Sequence, residues 1–377
     1  MLQAEARVDL DAIRANTARL AAGTSAGVMA VVKADGYGHG LLTAARASLA
    51  GGATWLGVCT LDEALALRAA GITAPILAWL LAPGLPLHQA VAADVDLSAA
   101  STALLEEIAA AARVADRPAR VHLKVDTGLS RNGATAADWP ELLTAAGKAV
   151  ADGTVEVVGA WSHFAYADEP GHPTIAAQIR RFGEALDVAE RAGVRPEVRH
   201  LANSAATLTL PEAHFDLVRP GIAVYGLSPI PAWPAARDLR PAMTLHAKVV
   251  LAKRVPAGEG VSYGHQYTTR RDTTLALVPL GYADGVPRAA TNVGPVLLAG
   301  ARRTISGRVC MDQVVVDVGD DPVEAGDVAV LFGPGDHGEP TADDWAAVLD
   351  TINYEIVTRV GARVPRTYVG ETTGEVS

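Results

Sequence analysis

The sequence predicts a TIM-type (β/α)8 barrel at the N-terminus, followed by a mainly β domain at the C-terminus. Eight short apolar runs recur between residues 28 and 222, and alanine- and leucine-rich stretches typical of helices separate them. Runs that are apolar throughout, without alternation, are typical of parallel strands covered on both faces. An open, doubly wound sheet is the alternative that this pattern leaves.

The predicted barrel strands begin near Val28, Thr54, Ala74, Asp94, Arg120, Val155, Glu197 and His214. The pattern changes near residue 240, where short β-branched segments are joined by Gly, Pro and Asp turns. A Pro- and Ala-rich stretch over residues 227–241 is the predicted linker. We therefore expect a barrel over residues 1–235 and a mainly β domain over residues 236–377, which ends with two helices within residues 341–362.

Length and composition restrict the class of protein. A chain of 377 residues exceeds the roughly 250 to 300 residues that a single core supports. The net charge of −10 argues against a nucleic-acid-binding surface. No uncharged apolar run reaches the roughly 20 residues of a membrane span, and the charged N-terminus does not resemble a signal peptide. Cys59 and Cys310 lie in apolar runs and are expected to be buried thiols. We expect a soluble, cytoplasmic protein.

Lys33 ends the first predicted strand, in the run AVVKADGYGHG. Burial disfavours the ammonium form of a lysine and favours the free amine that a Schiff base requires. The three glycines that follow allow the backbone to approach a ligand closely, and Tyr37 and His39 add polar groups beside it. The alternative is a lysine that extends from a strand end into solvent, followed by an ordinary turn.

Further polar residues fall at the predicted C-terminal ends of the strands, where barrel enzymes carry their chemistry. They are Lys124, Arg131, His163, His200, Asn203, Ser204 and Arg219, and Gly221 lies beside the last of them. Ser204 opens a predicted helix, and the RPGI segment places a glycine amide beside a cation, so these two strand ends predict a phosphate site. A capping serine and a Pro-Gly turn are the alternative. Phosphate opposite a Schiff-base lysine predicts pyridoxal phosphate, and no metal-ligand spacing is present.

Together these segments resemble bacterial alanine racemase, a fold-type III family that uses pyridoxal 5'-phosphate (PLP). The matching segments cover nearly the whole chain and occur in the family's order. They are AVVKADGYGHG, HLKVDTGLSRNG, WSHFAYADE, RHLANSAA, DLVRPGIAVYG, VSYGHQY, LGYADGVPR and GRVCMDQVVVD. The resemblance implies interconversion of L- and D-alanine by a homodimer with shared active sites, which supplies D-alanine for peptidoglycan.

The resemblance also implies residue roles. Lys33 would hold PLP as an aldimine and act as the base on the D-side, and Tyr263 of the partner subunit would be the base on the L-side. Arg131 would reach the phenolic oxygen of PLP and the substrate carboxylate, which the backbone N–H of Met311 would bind across the interface. Lys124 matches a lysine that is often carbamylated, which would orient Arg131. The phosphate would be held by Tyr37, Ser204, Gly221, Ile222 and Tyr354.

Arg219 distinguishes the family from related enzymes. An arginine against the pyridine nitrogen cannot accept a proton and should leave that nitrogen neutral. His200 is expected to hold Arg219 in place, and His163 is expected to contact the cofactor and to help Tyr263 act as a base. The expected supporting residues in the same motifs are Asn203, Tyr282 and Asp312.

Other functions remain as alternatives. Related fold-type III decarboxylases of basic amino acids place an acidic residue where this chain has Arg219. A non-catalytic PLP carrier would need only a barrel, and a cofactor-free barrel for sugar phosphates would leave Lys33 unexplained. A racemase of broader specificity is a further alternative, because serine differs from alanine by one hydroxyl and a small pocket discriminates weakly against such an addition.

Overall fold

A computed structural model of the chain describes residues 2–231, 233 and 238–370. The chain divides into two compact units. The barrel unit comprises Ile13–Gly36 and Leu41–Leu239, and the β unit comprises Met1–Ala12, Tyr37–Gly40 and Arg240–Ser377. The chain thus contributes its first residues and a four-residue segment after Gly36 to the β unit, whereas the division drawn from the sequence placed both in the barrel.

The barrel unit contains an eight-stranded parallel sheet, which confirms the predicted fold class. Strand β1 (Ala4–Asp9) belongs to the β unit. The barrel strands are β2 (Gly27–Val31), β3 (Trp55–Val58), β4 (Ile76–Ala78), β5 (Asp96–Ala99), β6 (Ala119–Lys124), β7 (Val155–Trp161), β8 (Val198–His200) and β9 (Leu217–Val218). Six of the strands lie within the run predicted for them, and β2 and β6 each begin one residue before it. Their order is β8-β7-β6-β5-β4-β3-β2-β9, so neighbours in space are neighbours in sequence except where β9 pairs with β2.

Backbone hydrogen bonds at the β8 and β9 ends bring the edges of this sheet together. The Asp216 N–H donates to the Arg199 carbonyl at 3.1 Å, and the Arg219 N–H donates to the Ala202 carbonyl at 2.9 Å. The near-closed barrel is filled by buried apolar side chains such as Met29, against which the partly buried Trp55 and Trp79 pack. Closing the sheet gathers the C-terminal ends of eight strands at one mouth.

Helices separate the strands, as the alanine- and leucine-rich stretches predict. They are α1 (Leu10–Ala22), α3 (Leu41–Ala50), α4 (Leu61–Ala69), α5 (Leu87–Ala92), α6 (Thr102–Ala115), α7 (Trp139–Ala151), α8 (Pro173–Arg191) and α9 (Ser204–Thr209), and the segment labelled α2 (Lys33–Tyr37) is a left-handed turn. Local signals fix where they begin. For example, α4 starts at a capping box in which Thr60 and Glu63 exchange side-chain and backbone hydrogen bonds.

The β unit is built on a six-stranded sheet of order β16-β15-β18-β10-β1-β19, with smaller sheets of three strands (β11-β14-β17) and two strands (β12-β13). Its strands are β10 (Met243–Lys248), β11 (Leu251–Val255), β12 (Gly260–Val261), β13 (Tyr267–Thr268), β14 (Thr273–Val278), β15 (Pro295–Leu298), β16 (Ala301–Thr304), β17 (Val314–Gly319), β18 (Val328–Phe332) and β19 (Arg366–Val369). Helices α10 (Ala342–Leu349) and α11 (Asn353–Thr358) fall within the two predicted helical stretches.

Two expectations about single features can be compared with the structure. Cys59 and Cys310 are free thiols, but both are half-buried rather than buried, because Cys59 directly follows β3 and Cys310 lies in the loop between β16 and β17. In the described part of the chain, no helix combines the length and the apolar character that crossing a bilayer requires.

Candidate active site

Lys33 is half-buried and begins a left-handed turn directly after β2. Ala34, Asp35 and Tyr37 all have φ near 53°, a conformation that is costly for residues with a side chain. Glu63 holds the turn, since its carboxylate accepts the Ala34 N–H at 2.6 Å and the Cys59 N–H at 3.0 Å. The Lys33 ammonium makes no hydrogen bond or ion pair with any residue that the structure describes. The turn therefore leaves the end of this side chain available for chemistry.

A tight loop after β6 carries Arg131. One carboxylate oxygen of Asp126 accepts the backbone N–H groups of Gly128, Leu129 and Ser130 at 2.8, 3.0 and 3.2 Å. Gly133 closes the loop with φ of 130°, and a side chain there would lie 2.6 Å from the Asp126 nitrogen. Arg131 is exposed at the tip of this rigid loop, with its cation free to meet an anion.

Lys124 ends β6 and is buried against an aromatic ring that the sequence did not identify. Its ammonium lies 4.1 Å from the centroid of the Trp161 indole, and the Arg219 guanidinium lies 4.8 Å from the same centroid. Burial, together with the charges of Arg219 and Arg131, lowers the pKa of Lys124 to about 8. Near neutral pH the ammonium form still predominates, but this lysine has far more free amine than a lysine of ordinary pKa.

Arg219 is buried at the end of β9 and is held from several sides. Its Nη2 group donates to the Ser162 carbonyl at 2.8 Å and lies 3.2 Å from the His163 Nδ1, while Nη1 lies 3.2 Å from the His200 Nδ1. Burial lowers its pKa to about 9, so it remains a cation at neutral pH. Its Nε–H has no acceptor among the described residues. The arginine is thus fixed in place with one donor uncommitted.

Both histidines beside Arg219 are neutral. Burial, followed by the charge of Arg219, holds the pKa of His163 and of His200 well below the usual range. A neutral imidazole offers a lone pair to the arginine, whereas an imidazolium would repel it. The structure thus brings His200 into contact with Arg219, as the sequence predicted. His163 also contacts Arg219, through the other terminal nitrogen of the guanidinium.

The ends of β8 and β9 meet at Ser204. Its hydroxyl accepts the Gly221 N–H at 2.8 Å and lies 3.4 Å from the Ala223 nitrogen. Asn203 caps helix α9 by accepting the Ala206 N–H at 3.0 Å, so its side chain is used locally. The Ile222 N–H has no acceptor among the described residues. The Ser204 hydroxyl and the backbone amides of Gly221 and Ile222 are thus brought together by the ends of β8 and β9, and we name this group the cradle.

The remaining predicted site residues lie in the β unit. Tyr37 and Tyr354 form a tilted ring pair with centroids 6.2 Å apart. Tyr263 is 70% exposed and follows Ser262, whose φ is 63°. The Ser262 hydroxyl donates to the Arg308 carbonyl at 2.7 Å, which anchors this strained loop.

The loop that carries Met311 adjoins the loop of Tyr263. The Ser262 oxygen lies 3.3 Å from the Cys310 sulfur, and the Tyr282 N–H donates to the Cys310 carbonyl at 3.0 Å. Met311 is 53% exposed and Tyr282 is 44% exposed. We name Tyr263, Tyr282 and Met311 the tyrosine patch. Asp312 beside it forms an exposed ion pair with Arg363 at 2.8 Å.

The structure gathers the predicted residues into sets within each unit. In the barrel unit, Arg219, His163, His200 and Lys124 form one connected cluster at the strand ends, near the Ser204 and Gly221 cradle. Trp161, His122 and Asp96 were not singled out as site residues from the sequence. All three are buried in the barrel unit. A signal for them was present, because an aspartate and a histidine inside otherwise apolar parallel strands need a reason to be buried.

Fold and site together define a class: a parallel-barrel protein with a cluster of cationic side chains at the barrel mouth and an additional mainly β unit. A family model described as the alanine racemase N-terminal domain matches residues 8–229, and one for the alanine racemase C-terminal domain matches residues 242–368. The chain belongs to the alanine racemase family, and it is an amino-acid racemase, an isomerase.

Named relatives and solved structures agree with this assignment. An alanine racemase of Salinispora arenicola is 71% identical over 372 residues, which cover 98% of this chain and 100% of the relative. That of Thermobifida fusca is 63% identical, with 97% of this chain and 98% of the relative covered. The crystal structure of alanine racemase from D-cycloserine-producing Streptomyces lavendulae superposes with a TM-score of 0.97 at 57% identity, covering 98% of each chain.

Proposed function

We propose that this protein interconverts L- and D-alanine with PLP bound at the barrel mouth, and that Lys33 and Tyr263 transfer protons on opposite faces of the substrate. The observation that carries the proposal is Arg219, a buried cation held by two neutral histidines with its Nε–H uncommitted. Such a group fits the ring nitrogen of a bound heteroaromatic cofactor, which accepts a hydrogen bond.

The residues present fit PLP at three further points. Ser204, Gly221 and Ile222 offer a hydroxyl and backbone amides to a phosphate. Lys33 offers a primary amine that no described residue occupies. Arg131 offers an exposed guanidinium for an anionic oxygen. When bound, PLP supplies the electron sink that stabilises the charge left on the substrate α-carbon after proton removal.

The chain's own part of the reaction is proton transfer at the α-carbon. Removing the proton from one face and returning one to the other inverts the centre, and two groups on opposite faces do this without a single base moving around the substrate. We assign Lys33 to the D-side and Tyr263 to the L-side. A tyrosine hydroxyl has a reference pKa near 10, so it needs cations close by to act as a base.

We further propose a homodimer in which the tyrosine patch serves the partner's active site. The patch exposes two tyrosines and a methionine on adjoining loops, of which the Tyr263 loop is strained and anchored at Ser262, and exposed aromatic groups of this kind usually mark an interaction surface. The Met311 N–H would bind the substrate carboxylate there. Asp312, paired with Arg363, would hold the loop in place. Tyr37 and Tyr354 would add hydroxyl donors to the phosphate.

We also propose that Lys124 reacts with CO2. Its free amine attacks the carbon of CO2, a nitrogen–carbon bond forms, the nitrogen loses a proton, and a cation becomes an anionic carbamate. The lowered pKa of about 8 supplies the free amine. The carbamate would interact with the Arg219 and Arg131 charges, which both act on Lys124, so that attraction replaces repulsion among three cations and orients Arg131.

In the cell, we propose that the enzyme works in the cytoplasm and supplies D-alanine for peptidoglycan. Two measurements test the core of the proposal. The purified protein should convert L-alanine to a racemic mixture, and borohydride should reduce a cofactor adduct onto Lys33, which peptide mass spectrometry locates. A reduced protein without a pyridoxyl group on Lys33 would overturn the cofactor assignment.

A further inference from the structure

Behind Arg219, an unbroken chain of hydrogen bonds crosses the barrel interior. The His200 Nδ1 lies 3.2 Å from Arg219 Nη1, and its Nε2 lies 2.8 Å from the His122 Nδ1. The His122 Nε2 lies 3.2 Å from Asp96 Oδ2. The Arg120 Nε donates to Asp96 Oδ1 at 2.7 Å. We name these five residues the interior relay. It joins strands β5, β6, β8 and β9.

The groups at the two ends of the interior relay, a guanidinium and a carboxylate, determine which nitrogen donates and which accepts in each of its hydrogen bonds. Arg219 can only donate, so His200 must accept through Nδ1 and carry its proton on Nε2. That proton is donated to His122 Nδ1, which leaves the His122 proton on Nε2, facing Asp96. The opposite direction would place the Nδ1–H of His200 against a guanidinium N–H. One arrangement therefore satisfies every group, and it makes both histidines Nε2–H tautomers.

Asp96 supplies the charge that this direction requires. Burial alone would raise its pKa, but the hydrogen bonds from His122 and Arg120, together with the charge of Arg120, outweigh burial and lower it, so Asp96 is a carboxylate at neutral pH. Within the described barrel, no carboxylate pairs directly with Arg219. The counter-charge of this buried arginine is thus two imidazoles away.

The barrel is shaped to admit the relay. A side chain at Gly159 would collide with the His122 ring, so only glycine fits beside it. The pairing of β6 with β7 shifts register between Val121 and His122. The Trp161 ring stacks on His200 with centroids 5.6 Å apart and planes 11° apart. Buried polar networks destabilise a core unless every member is satisfied, so their retention calls for a role.

We propose that His122 and Asp96 are positioning residues, which set the tautomer of His200 and thereby hold Arg219 with its Nε–H directed at the bound cofactor. The proposal rests on the proposed function, because it takes Arg219 to face a cofactor ring. Neither residue touches substrate. Asp96 acts on His122 and His122 acts on His200, and of these three residues only His200 contacts Arg219.

Two substitutions of His122 that nearly keep its volume show whether it positions His200 through hydrogen bonds or only fills space in the core. In His122→Gln, the amide oxygen can accept from His200 and the amide N–H can donate to Asp96, so the direction is preserved. In His122→Met, neither bond can form. We expect the Met variant to lose about tenfold or more in kcat with KM for alanine within about twofold, and the Gln variant to stay within about threefold in kcat.

A spectroscopic measurement tests the relay independently of activity. With ¹⁵N-labelled histidine in the holoenzyme, His122 and His200 should both give signals of the neutral Nε2–H tautomer, and the His200 signal should change in His122→Met but not in His122→Gln. The signals are assigned by their loss in His122→Gln and His200→Gln. An Nδ1–H or charged His200 in the wild type would overturn the proposal, as would equal kcat and equal His200 signals in the Met and Gln variants.

The two proposals fail in different ways. Absence of racemisation by the wild type defeats the proposed function, while the tautomers still decide the direction of the relay. If His122→Met does not fold, the wild-type tautomers and the Gln variant remain decisive, because both are measured in folded holoenzyme.

Discussion

The Ser204 hydroxyl accepts the Gly221 N–H at 2.8 Å, which joins the end of β8 to the end of β9. This bond closes the barrel at the point where we place the cofactor phosphate. A bound phosphate would offer the Gly221 amide a charged acceptor in place of a neutral hydroxyl, and charge-assisted hydrogen bonds are stronger. The same two residues therefore serve the fold and the site.

The first prediction concerns this cradle. Ser204→Ala removes the hydroxyl, so the affinity for PLP should fall about tenfold, in keeping with the roughly 1 to 1.5 kcal/mol of one hydrogen bond. Titration of apoprotein with PLP, followed by absorbance, measures the change. Thr209→Ala is the matched control, because it removes a hydroxyl from the same helix that bonds only to the Ala205 carbonyl. Equal losses in the two variants would remove Ser204 from the phosphate site.

A second prediction concerns the turn that presents Lys33. Glu63→Ala removes the acceptor of the Ala34 and Cys59 N–H groups, so the unfolding free energy should fall by about 1 to 3 kcal/mol. Asp62→Ala, an exposed neighbour, should change it by less than about 0.5 kcal/mol. Urea denaturation of both variants provides the measurement, and the account fails here if the two unfold alike.

The third prediction is a pH dependence at Lys124. Its pKa falls from 10.5 to about 8 on folding, so the charged form is disfavoured in the folded state. That penalty is present in full below the folded pKa and disappears as the pH rises from about 8 towards 10.5. In CO2-free buffer, Lys124→Met apoprotein should therefore be more stable than wild type at pH near 7, by at most about 3 kcal/mol. A stability difference that stays constant between neutral and alkaline pH would contradict this.

A fourth prediction concerns the carbamate on the same lysine. In ¹³C-labelled bicarbonate, the wild type should show a carbamate NMR signal that Lys124→Met lacks. Stripping CO2 should raise KM for alanine several-fold, since Arg131 loses the anion that orients it, and bicarbonate should restore it. The absence of the signal from wild-type protein would leave Lys124 as a buried cation or amine.

Most of the barrel and its mouth could be predicted from the sequence because the signals are local. Each strand is a short apolar run, and the polar side chain that ends it follows within a few residues. The assignment of β1 to the β unit could not be predicted, because β1 pairs with β10, where Ala4 is the partner of Ala247. Such long-range pairing leaves little trace in a local pattern.

The contacts within the interior relay could not be predicted from the sequence either. Asp96 and His122 were visible as ionisable residues within strands, but their partners come from different strands. Only the closure of the barrel brings them into one line with Arg219. The left-handed turn after Lys33 is similar, since an alanine such as Ala34 does not favour a positive φ, and a carboxylate from α4 accepts its N–H in this conformation.

The central claim is that Tyr263 transfers the proton on the L-side while Lys33 serves the D-side. The direct measurement is the exchange of solvent deuterium into L-alanine by Tyr263→Phe, with Tyr368→Phe, an exposed tyrosine of strand β19, as the matched control. The account predicts that Tyr263→Phe still binds PLP but incorporates deuterium into L-alanine at a small fraction of the wild-type rate, while Tyr368→Phe stays close to wild type. Incorporation by Tyr263→Phe at the wild-type rate would contradict the two-base account.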